Sequence, residues 1–571
     1  MKHYMRLLLA LLLALSLLAA GAALAEAELA LGEAANGLEE MEAMPQLALE
    51  DGALAIKDAA LVSEDVEANA DGDEIVAKIN KANFPAADFR KYVLANIDAN
   101  GDKKLSRSEA EAVTELMLRT WEDKEAGRNA YNLSSLKGVE YFTNLEQLEC
   151  VACKVKTLDV TKNTKLEELD CSENRLTKLD VSKCPELDEL RCGSNKLSKL
   201  DVTKCARLTE LDVADNQLSR LDVTKCPKLE QLFCGFNQLS ALNVNGNAKL
   251  TNLKCDNNKI KKLNVSRNTK LVELGCDENR LTALDVSGKT SLEILDCGDC
   301  AIKKLNVSGA DNLKELYCGS NRLTALDVSN KTRLEKLYCN QNELTKLNVS
   351  ETSKLVELWC YSNRIKKLDV GNNKKLTVLA CFDNPLKTLD VRKNTALVSL
   401  YCQSNQLKTL DVSKNTKLKE LQCFDNQLTR IDVSKNTRLE WLSCGDNPLK
   451  GLDIRKNTAL TGLSCINGGL TKLDVSKNKK LERLYVRDNA LTSIDLSANK
   501  KLSILVISGN KIKSIDIGSC PGVQEAMKLK KKTTKKTVAW YTEEEWGIDN
   551  HLMIDRSTTL TAGDKVLYQG K

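Results

Sequence analysis

Cysteine recurs every 21 residues along most of this chain: Cys150, Cys171, Cys192, then Cys234 and every 21st position to Cys465. Val213, Val486 and Ile507 hold the same register with another apolar residue. No insertion or deletion breaks the spacing from Cys150 to Ile507, since 507 − 150 = 357 = 17 × 21, which makes eighteen repeats. A period this strict predicts a solenoid whose units bury their core only by stacking on one another. The interior of every repeat is then committed, and function becomes a question about surfaces.

Residues 166–187 show the repeat: Leu166, Leu169, Cys171, Asn174, Leu176, Leu179, Asp180, Val181, Leu187. The spacing fits L-x-x-L-x-L-x-x-N-x-L with cysteine in the third leucine slot. Leu169 and Cys171 alternate with polar residues, which predicts a short strand with both pointing inward. Asn174 and its equivalents Asn195, Asn216 and Asn237 fall where the chain must turn, and are expected to bond the neighbouring turn's backbone. Leu179 and Val181 alternate about Asp180, so the back of each coil is expected to be a second short extended segment.

Repeats such as LKELQCFDNQLTRIDVSKNTRL, from Leu418 to Leu439, resemble those of internalin-type bacterial surface proteins, particularly the branch with a cysteine ladder. The resemblance implies a β-rich α/β solenoid: a curved leucine-rich-repeat horseshoe of about 18 coils, outside the cell, with a host or neighbouring-cell ligand on its concave face. No ligand residues carry over, because the family's concave surfaces diverge.

The N-terminus reads as a secretion signal over residues 1–25: Lys2 and Arg6, an apolar run, then Ala23-Leu24-Ala25 before Glu26. No later stretch reaches the ~18 apolar residues of a membrane span. Gln569-Gly570-Lys571 carries no sortase motif, so the expectation is a secreted chain, free or loosely held at the cell wall. A net charge of +5 on 571 residues gives no indication of nucleic acid. In an exported chain 21 cysteines would usually mean disulfides. Here fifteen lie in the ladder, Cys184, Cys205, Cys226 and Cys520 share a second repeat position, and Cys153 and Cys300 take the turn-asparagine slot. Position predicts buried thiols acting as small apolar residues. Cys150/Cys153 and Cys297/Cys300, each half a zinc motif, lie seven repeats apart, roughly 34 Å at ~4.8 Å per strand, too far to share an ion.

Residues 26–75 are acidic, lack aromatics and contain one basic residue, Lys57, which predicts a flexible segment. Residues 76–120 are expected to form a small helical N-terminal cap, with helical spacing over Phe84 to Ile97 and Ser106 to Arg119. Residues 121–144 read as an atypical first coil, 145–517 as the repeat domain and 518–571 as a β-rich C-terminal cap. Between the two expected helices, residues 98–109 resemble an EF-hand loop. Asp98, Asn100 and Asp102 take positions 1, 3 and 5, Lys104 offers its carbonyl at 7, Ser106 stands at 9 and Glu109 at 12. Lys103 occupies position 6, where the loop wants glycine. The resemblance implies weak calcium binding in a structural role.

All eleven aromatics between residues 145 and 517 fall on the concave face by register. Phe233, Tyr317, Tyr338, Trp359, Tyr401 and Tyr485 stand one before the ladder position; Tyr361, Phe382 and Phe424 one after; Phe236 two after; Trp441 three before. Strand propensity alone would enrich aromatics on the back as well. An exposed aromatic strip rimmed by polar residues marks a binding surface. The N-terminal part of that face is acidic, through Glu168, Asp170, Glu173, Glu189, Glu210, Asp212 and Asp215, and the back is lysine-rich. Catalysis is not expected: beyond the signal, His551 is the only histidine, and a regular sheet offers no pocket to shift a carboxylate pKa. The expected function is a monomeric interaction protein binding a protein ligand. A carbohydrate- or wall-binding module is the alternative, and a structural coat the third.

Overall fold

The computed structural model describes residues 72–118, 133–544 and 547–570. The signal peptide, nearly all of the acidic segment and part of the first coil lie outside the described residues. Eighteen three-residue strands run from Gln147–Glu149 to Ile504–Val506, one every 21 residues in seventeen steps. Each pairs in parallel with the next in unbroken register, Leu148 against Leu169 at one end and Leu484 against Leu505 at the other. The leucine at the centre of each strand and the ladder residue two positions later are buried on every rung. The chain is therefore the leucine-rich-repeat solenoid that the periodicity predicts.

All 21 cysteines are free thiols, and every one except half-buried Cys300 is buried. Desolvation pushes the thiols of Cys339, Cys381 and Cys423 up to about 12, so their nucleophilic thiolates are suppressed.

Two asparagine ladders close the turns. In the expected one, Asn426 Nδ2 donates to the carbonyls of Cys402 (3.0 Å) and Cys423 (3.2 Å), while its Oδ1 accepts from Leu407 N (2.9 Å). The second was not legible as such. Asn436, in the lysine-rich turn of the back, is fully buried and donates to Val412 O (3.0 Å) and Asn415 O (2.9 Å). Asn394, Asn415, Asn457, Asn478 and Asn499 repeat the arrangement. Cys184, Cys205, Cys226 and Cys520 stand in this same column. They are more than apolar filler, since each thiol reaches the carbonyl that asparagine would bond, Cys184 Sγ lying 3.5 Å from Val160 O. Lys331, also in this column, is buried and pairs with Asp311 at 2.9 Å, an exception to the solvated back.

The residue two past the ladder position has φ between 44° and 58° on every rung from Ala152 to Asp488. Asp, Asn and Ser fill most of these left-handed positions, as their short polar side chains allow. On the back, paired strands occur among the described repeats only at Ala283–Asp285 with Lys304–Asn306 and at Ser514–Asp516, which pairs with Thr559–Ala562. The expected extended segment is thus not a continuous second sheet.

At the N-terminal end a helix spans Ala87–Asn96, but the second expected helix is only Arg107–Glu111. Glu115–Met117 is instead a strand, pairing in parallel with Gln147–Glu149 and starting the solenoid sheet. Phe84 and Phe89 are fully buried, and Phe84 lies so close to Gly138 (φ 107°) that a Cβ there would sit 2.3 Å from its Cδ1. At the other end Gly547–Asp555 continues the sheet, Leu505 facing Leu552, and Asp555 accepts from the last turn's Gly509 N at 2.8 Å. These added strands cover the open edges that a bare solenoid would present to other chains.

Candidate binding surface

The concave face carries four outward columns, three and one before the ladder position and one and two after it. Parallel register stacks Tyr317, Tyr338 and Trp359 on successive rungs. Tyr317 and Tyr338 meet edge to face at 4.9 Å, and Tyr338 stacks on Trp359 at 5.4 Å. The next rung places Ala380 in this column, and its small side chain lets Trp359 reach Tyr401 at 6.2 Å. Trp359 also meets Tyr361 at 6.2 Å. Six rings, counting Phe382 against Tyr361, thus form one body.

The tyrosine hydroxyls are fixed by carboxylates: Tyr317 donates to Glu315 (2.5 Å), Tyr338 to Glu357 (2.5 Å) and Tyr401 to Glu420 (2.6 Å). Burial first, and then these carboxylates, raise all three phenols well above the usual range, so they remain donors. Trp359 Nε1 and both amide atoms of fully buried Gln403, which shares a column with Phe382 and Phe424, have no hydrogen-bond partner.

This geometry corrects the expectation of an exposed strip. Phe382 and Tyr401 are only 6% and 8% exposed, because the rings cover one another. Phe233, Phe424, Trp441 and Tyr485 are half-buried outside the six-ring body, Trp441 lying over Gly462. Phe236 alone of the eleven is exposed, at 56%, and it occupies the left-handed position with φ 51°. A bulky residue in that region is an outlier.

The acidic columns also divide once side chains are placed. Arg191 gathers three of them, bonding Glu210 (2.7 Å), Glu189 (2.6 Å) and Glu168 (3.1 Å). Farther along, Asp256, Asp277, Asp296 and Asp299 have no ion pair among the described residues. Burial, Asp296 and Asp256 push the Asp277 carboxyl up to about 7.

In the N-terminal loop, Lys103 adopts φ 62°, the conformation glycine would supply at that position. Asp98 Oδ2 accepts from Lys103 N (3.1 Å), Asn100 from Asp102 N (2.9 Å) and Asp102 from Lys104 N (2.8 Å). Asp98 is 8% exposed, and its Oδ1 is buried without a partner. Glu109 is committed elsewhere: Oε1 accepts from Ala99 N (2.9 Å), and Oε2 from Ser106 N and Oγ (both 2.9 Å) in a capping box. No group of three or more acidic, cysteine or histidine side chains is placed to hold a metal among the described residues.

A family model for leucine-rich repeats in two copies matches residues 164–203. The functional domain of InlJ from Listeria monocytogenes, which includes a cysteine ladder, is 30% identical over 78% of this chain and 78% of its own, with a TM-score of 0.41. This chain is an internalin-type leucine-rich-repeat protein. More distant repeat proteins share its fold. A TDR receptor is 18% identical over 73% of this chain and 84% of its own, with a TM-score of 0.58. The Arabidopsis receptor kinase HAESA, solved with a peptide hormone and a co-receptor, is 19% identical over 66% and 71%, with a TM-score of 0.54. No curated protein matches the chain. No helix among the described residues of this internalin-type chain is long and apolar enough to cross a membrane.

Proposed function

We propose that this internalin-type chain is a secreted bacterial interaction protein that binds a protein ligand along its concave face. The observation that carries the reading is the six-ring body from Tyr317 to Tyr401, projecting from a sheet whose backbone is fixed by neighbours on both sides. A rigid aromatic platform presents apolar area with little ordering entropy left to lose. Secretion is supported by the N-terminal signal pattern and by the kinship with InlJ. The half-buried rings of Trp359 and Tyr361 would also suit a sugar ring, which keeps a glycan ligand as the second reading.

The test is a pull-down with the full secreted chain against neighbouring-cell surface proteins, run beside a glycan array. Titration of the captured ligand against Tyr338→Ala and Trp359→Ala then locates the site. Loss of affinity by tenfold or more supports the concave site; equal loss with Lys414→Ala and Lys435→Ala would move it to the back.

For the N-terminal loop we propose weak calcium binding. Asp98, Asn100, Asp102, the Lys104 carbonyl, Ser106 and Glu109 would hold the ion, and the unpartnered Asp98 Oδ1 is the atom a cation would satisfy. Glu109 must first give up its backbone donors, which favours the ~10⁻⁴–10⁻³ M range of extracellular modules. A bound ion would tie the loop to the cap helix.

A further inference from the structure

The C-terminal cap carries a run of charge unlike anything in the repeats. Lys528, Lys530, Lys531, Lys532, Lys535 and Lys536 put six lysines into nine residues, and no aspartate or glutamate stands between Glu525 and Glu543. Over the whole chain 84 basic residues nearly balance 79 acidic ones, so the run is a local departure. Lys530–Thr533 is a strand paired antiparallel with Thr537–Glu544, Lys531 facing Trp540 and Thr533 facing Val538. Thr534 and Thr537 close the turn between them. Thr537 O accepts from Thr534 N at 2.8 Å, and Thr534 Oγ1 accepts from Thr537 N at 2.9 Å and Lys536 N at 3.2 Å. Lys535 and Lys536 therefore sit at the tip of a hydrogen-bonded hairpin. Arg556 N donates to Lys536 O at 2.8 Å, tying that tip to the end of the strand Gly547–Asp555.

Every residue from Lys530 to Lys536 is exposed. Lys528 is paired with Glu525 at 2.7 Å, at the base of the hairpin. Lys532, Lys535, Lys536 and Arg556 have no ion pair among the described residues. Lys531 is held differently. Its ammonium lies 5.1 Å from the ring centres of both Trp540 and Tyr568, which meet edge to face at 5.9 Å. The two rings fix this cation in place without neutralising it. Asp555, beside Arg556 in the chain, is spent on the N–H groups of Gly509 and Asn510. Lysine on an exposed strand edge guards against pairing with other strands. That accounts for Lys530 and Lys532, but not for Lys535, Lys536 and Arg556, which lie past the strand ends.

The same surface restricts the anion it fits. From Lys530 to Lys536 only lysine and threonine are offered, so no apolar side chain is presented to a bilayer. Trp540 is 3% exposed and committed to Lys531 and Tyr568, so it is no platform for a nucleic-acid base. Ammonium groups are compact point charges that suit phosphate oxygens without a fixed fork of bonds to satisfy. Lys530 and Lys532 share a strand face at about 7 Å spacing, two residues of strand rise. The charges thus run in a row, which matches a chain of anions better than a single one.

We propose that this hairpin, through Lys531, Lys532, Lys535, Lys536 and Arg556, binds a polymer of repeating phosphodiester groups, such as a glycerol-phosphate polymer of a cell wall. Bound so, the secreted chain is retained at a wall by charge, with no covalent anchor. The inference stands on the cap alone and is independent of the concave-face reading.

The experiment titrates the full secreted chain with soluble poly(glycerol phosphate) at moderate salt, beside heparin, duplex DNA and phosphatidylglycerol vesicles. The Lys532→Gln, Lys535→Gln, Lys536→Gln triple variant should lose affinity for the polymer by about tenfold or more, with a shallower salt dependence because fewer counterions are released. Arginine at the same three positions should restore binding. Lys414→Gln, Lys435→Gln, Lys456→Gln on the back removes the same charge and should leave affinity unchanged. Circular dichroism checks that each variant is folded. No binding by the parent, or equal loss in the two glutamine variants, overturns the proposal. So does tighter binding of heparin, DNA or the vesicles than of the polymer, which would assign the hairpin to a sulfated glycan, a nucleic acid or a lipid surface. Trp359→Ala should bind the polymer as the parent does, so failure here leaves the concave site standing, and failure there leaves the hairpin.

Discussion

Tyr361 and Phe382 lie face to face on adjacent rungs, ring centroids 4.2 Å apart and planes within 7°. Phe382 is nearly covered. Phe382→Ala should therefore cost stability, about 1–3 kcal/mol, less than the 3–5 kcal/mol of a core phenylalanine because one face is sheet surface. Phe236→Ala should leave the unfolding midpoint within about 0.5 kcal/mol of the parent, as for most surface substitutions. Urea unfolding measures both; equal costs would contradict the packing described.

Asn436 gives two buried carbonyls a second hydrogen bond, Val412 O already accepting from Asn415 N and Asn415 O from Leu418 N. Asn436→Ala should cost about 1–2 kcal/mol, the loss of two ordinary buried hydrogen bonds between neighbouring turns. Asn436→Cys should cost less, since cysteine stands in this column at positions 184, 205, 226 and 520 and its thiol faces the same carbonyls. A cysteine variant as unstable as the alanine variant would refute the weak thiol bond.

Native alkylation should find few thiols. Burial shields the ladder cysteines from reagent and holds Cys339, Cys381 and Cys423 protonated, whereas Cys300 is only half-buried. Iodoacetamide at pH 8 should modify Cys300 first, with the rest appearing only in denaturant, as read by peptide mass. Rapid native labelling of Cys339 or Cys423 would contradict the closed core.

Asp277 makes stability fall with rising pH. Its folded pKa is about 7 against an ordinary 3.8, so between those values the folded chain keeps a proton that the unfolded chain loses. Stability from this group is present below pH 4, declines as pH rises through 7, and is level above. Asp277→Asn should flatten that decline and raise the midpoint at pH 8. Burial is the largest cause of the shift, and Asp296, Asp256 and Glu278 add to it. Thermal melts from pH 5 to 8 test it, and identical profiles for parent and variant would defeat it.

Calcium at millimolar concentration should raise the melting temperature of the N-terminal cap in the parent, and leave Asp98→Ala unmoved. Titration calorimetry with magnesium as the second ion checks specificity; absence of calcium heat in the parent would show that Glu109 stays with its capping box.

The repeat, the buried cysteines, the turn-asparagine ladder and the aromatic columns were all readable from spacing, because a solenoid places every equivalent residue identically. What spacing did not carry is how side chains lean between columns. Ala380 opens the path from Trp359 to Tyr401, and Arg191 draws in glutamates from neighbouring rungs. Neither is visible within one column. The second asparagine ladder hid in turns whose lysines mark solvent, since the asparagine beside them points inward. The expected helix after Ser106 gave way to a strand because the solenoid needs an edge partner for Gln147–Glu149.

The unbroken 21-residue step makes the molecule a ruler. The Arg191 glutamate cluster and the aromatic platform are separated by whole rungs, so their spacing is quantised at ~4.8 Å. Duplication or loss of one repeat would preserve every buried contact while sliding the two patches past each other by that increment. A lineage could thus retune which partner it spans without inventing a new surface or disturbing its core.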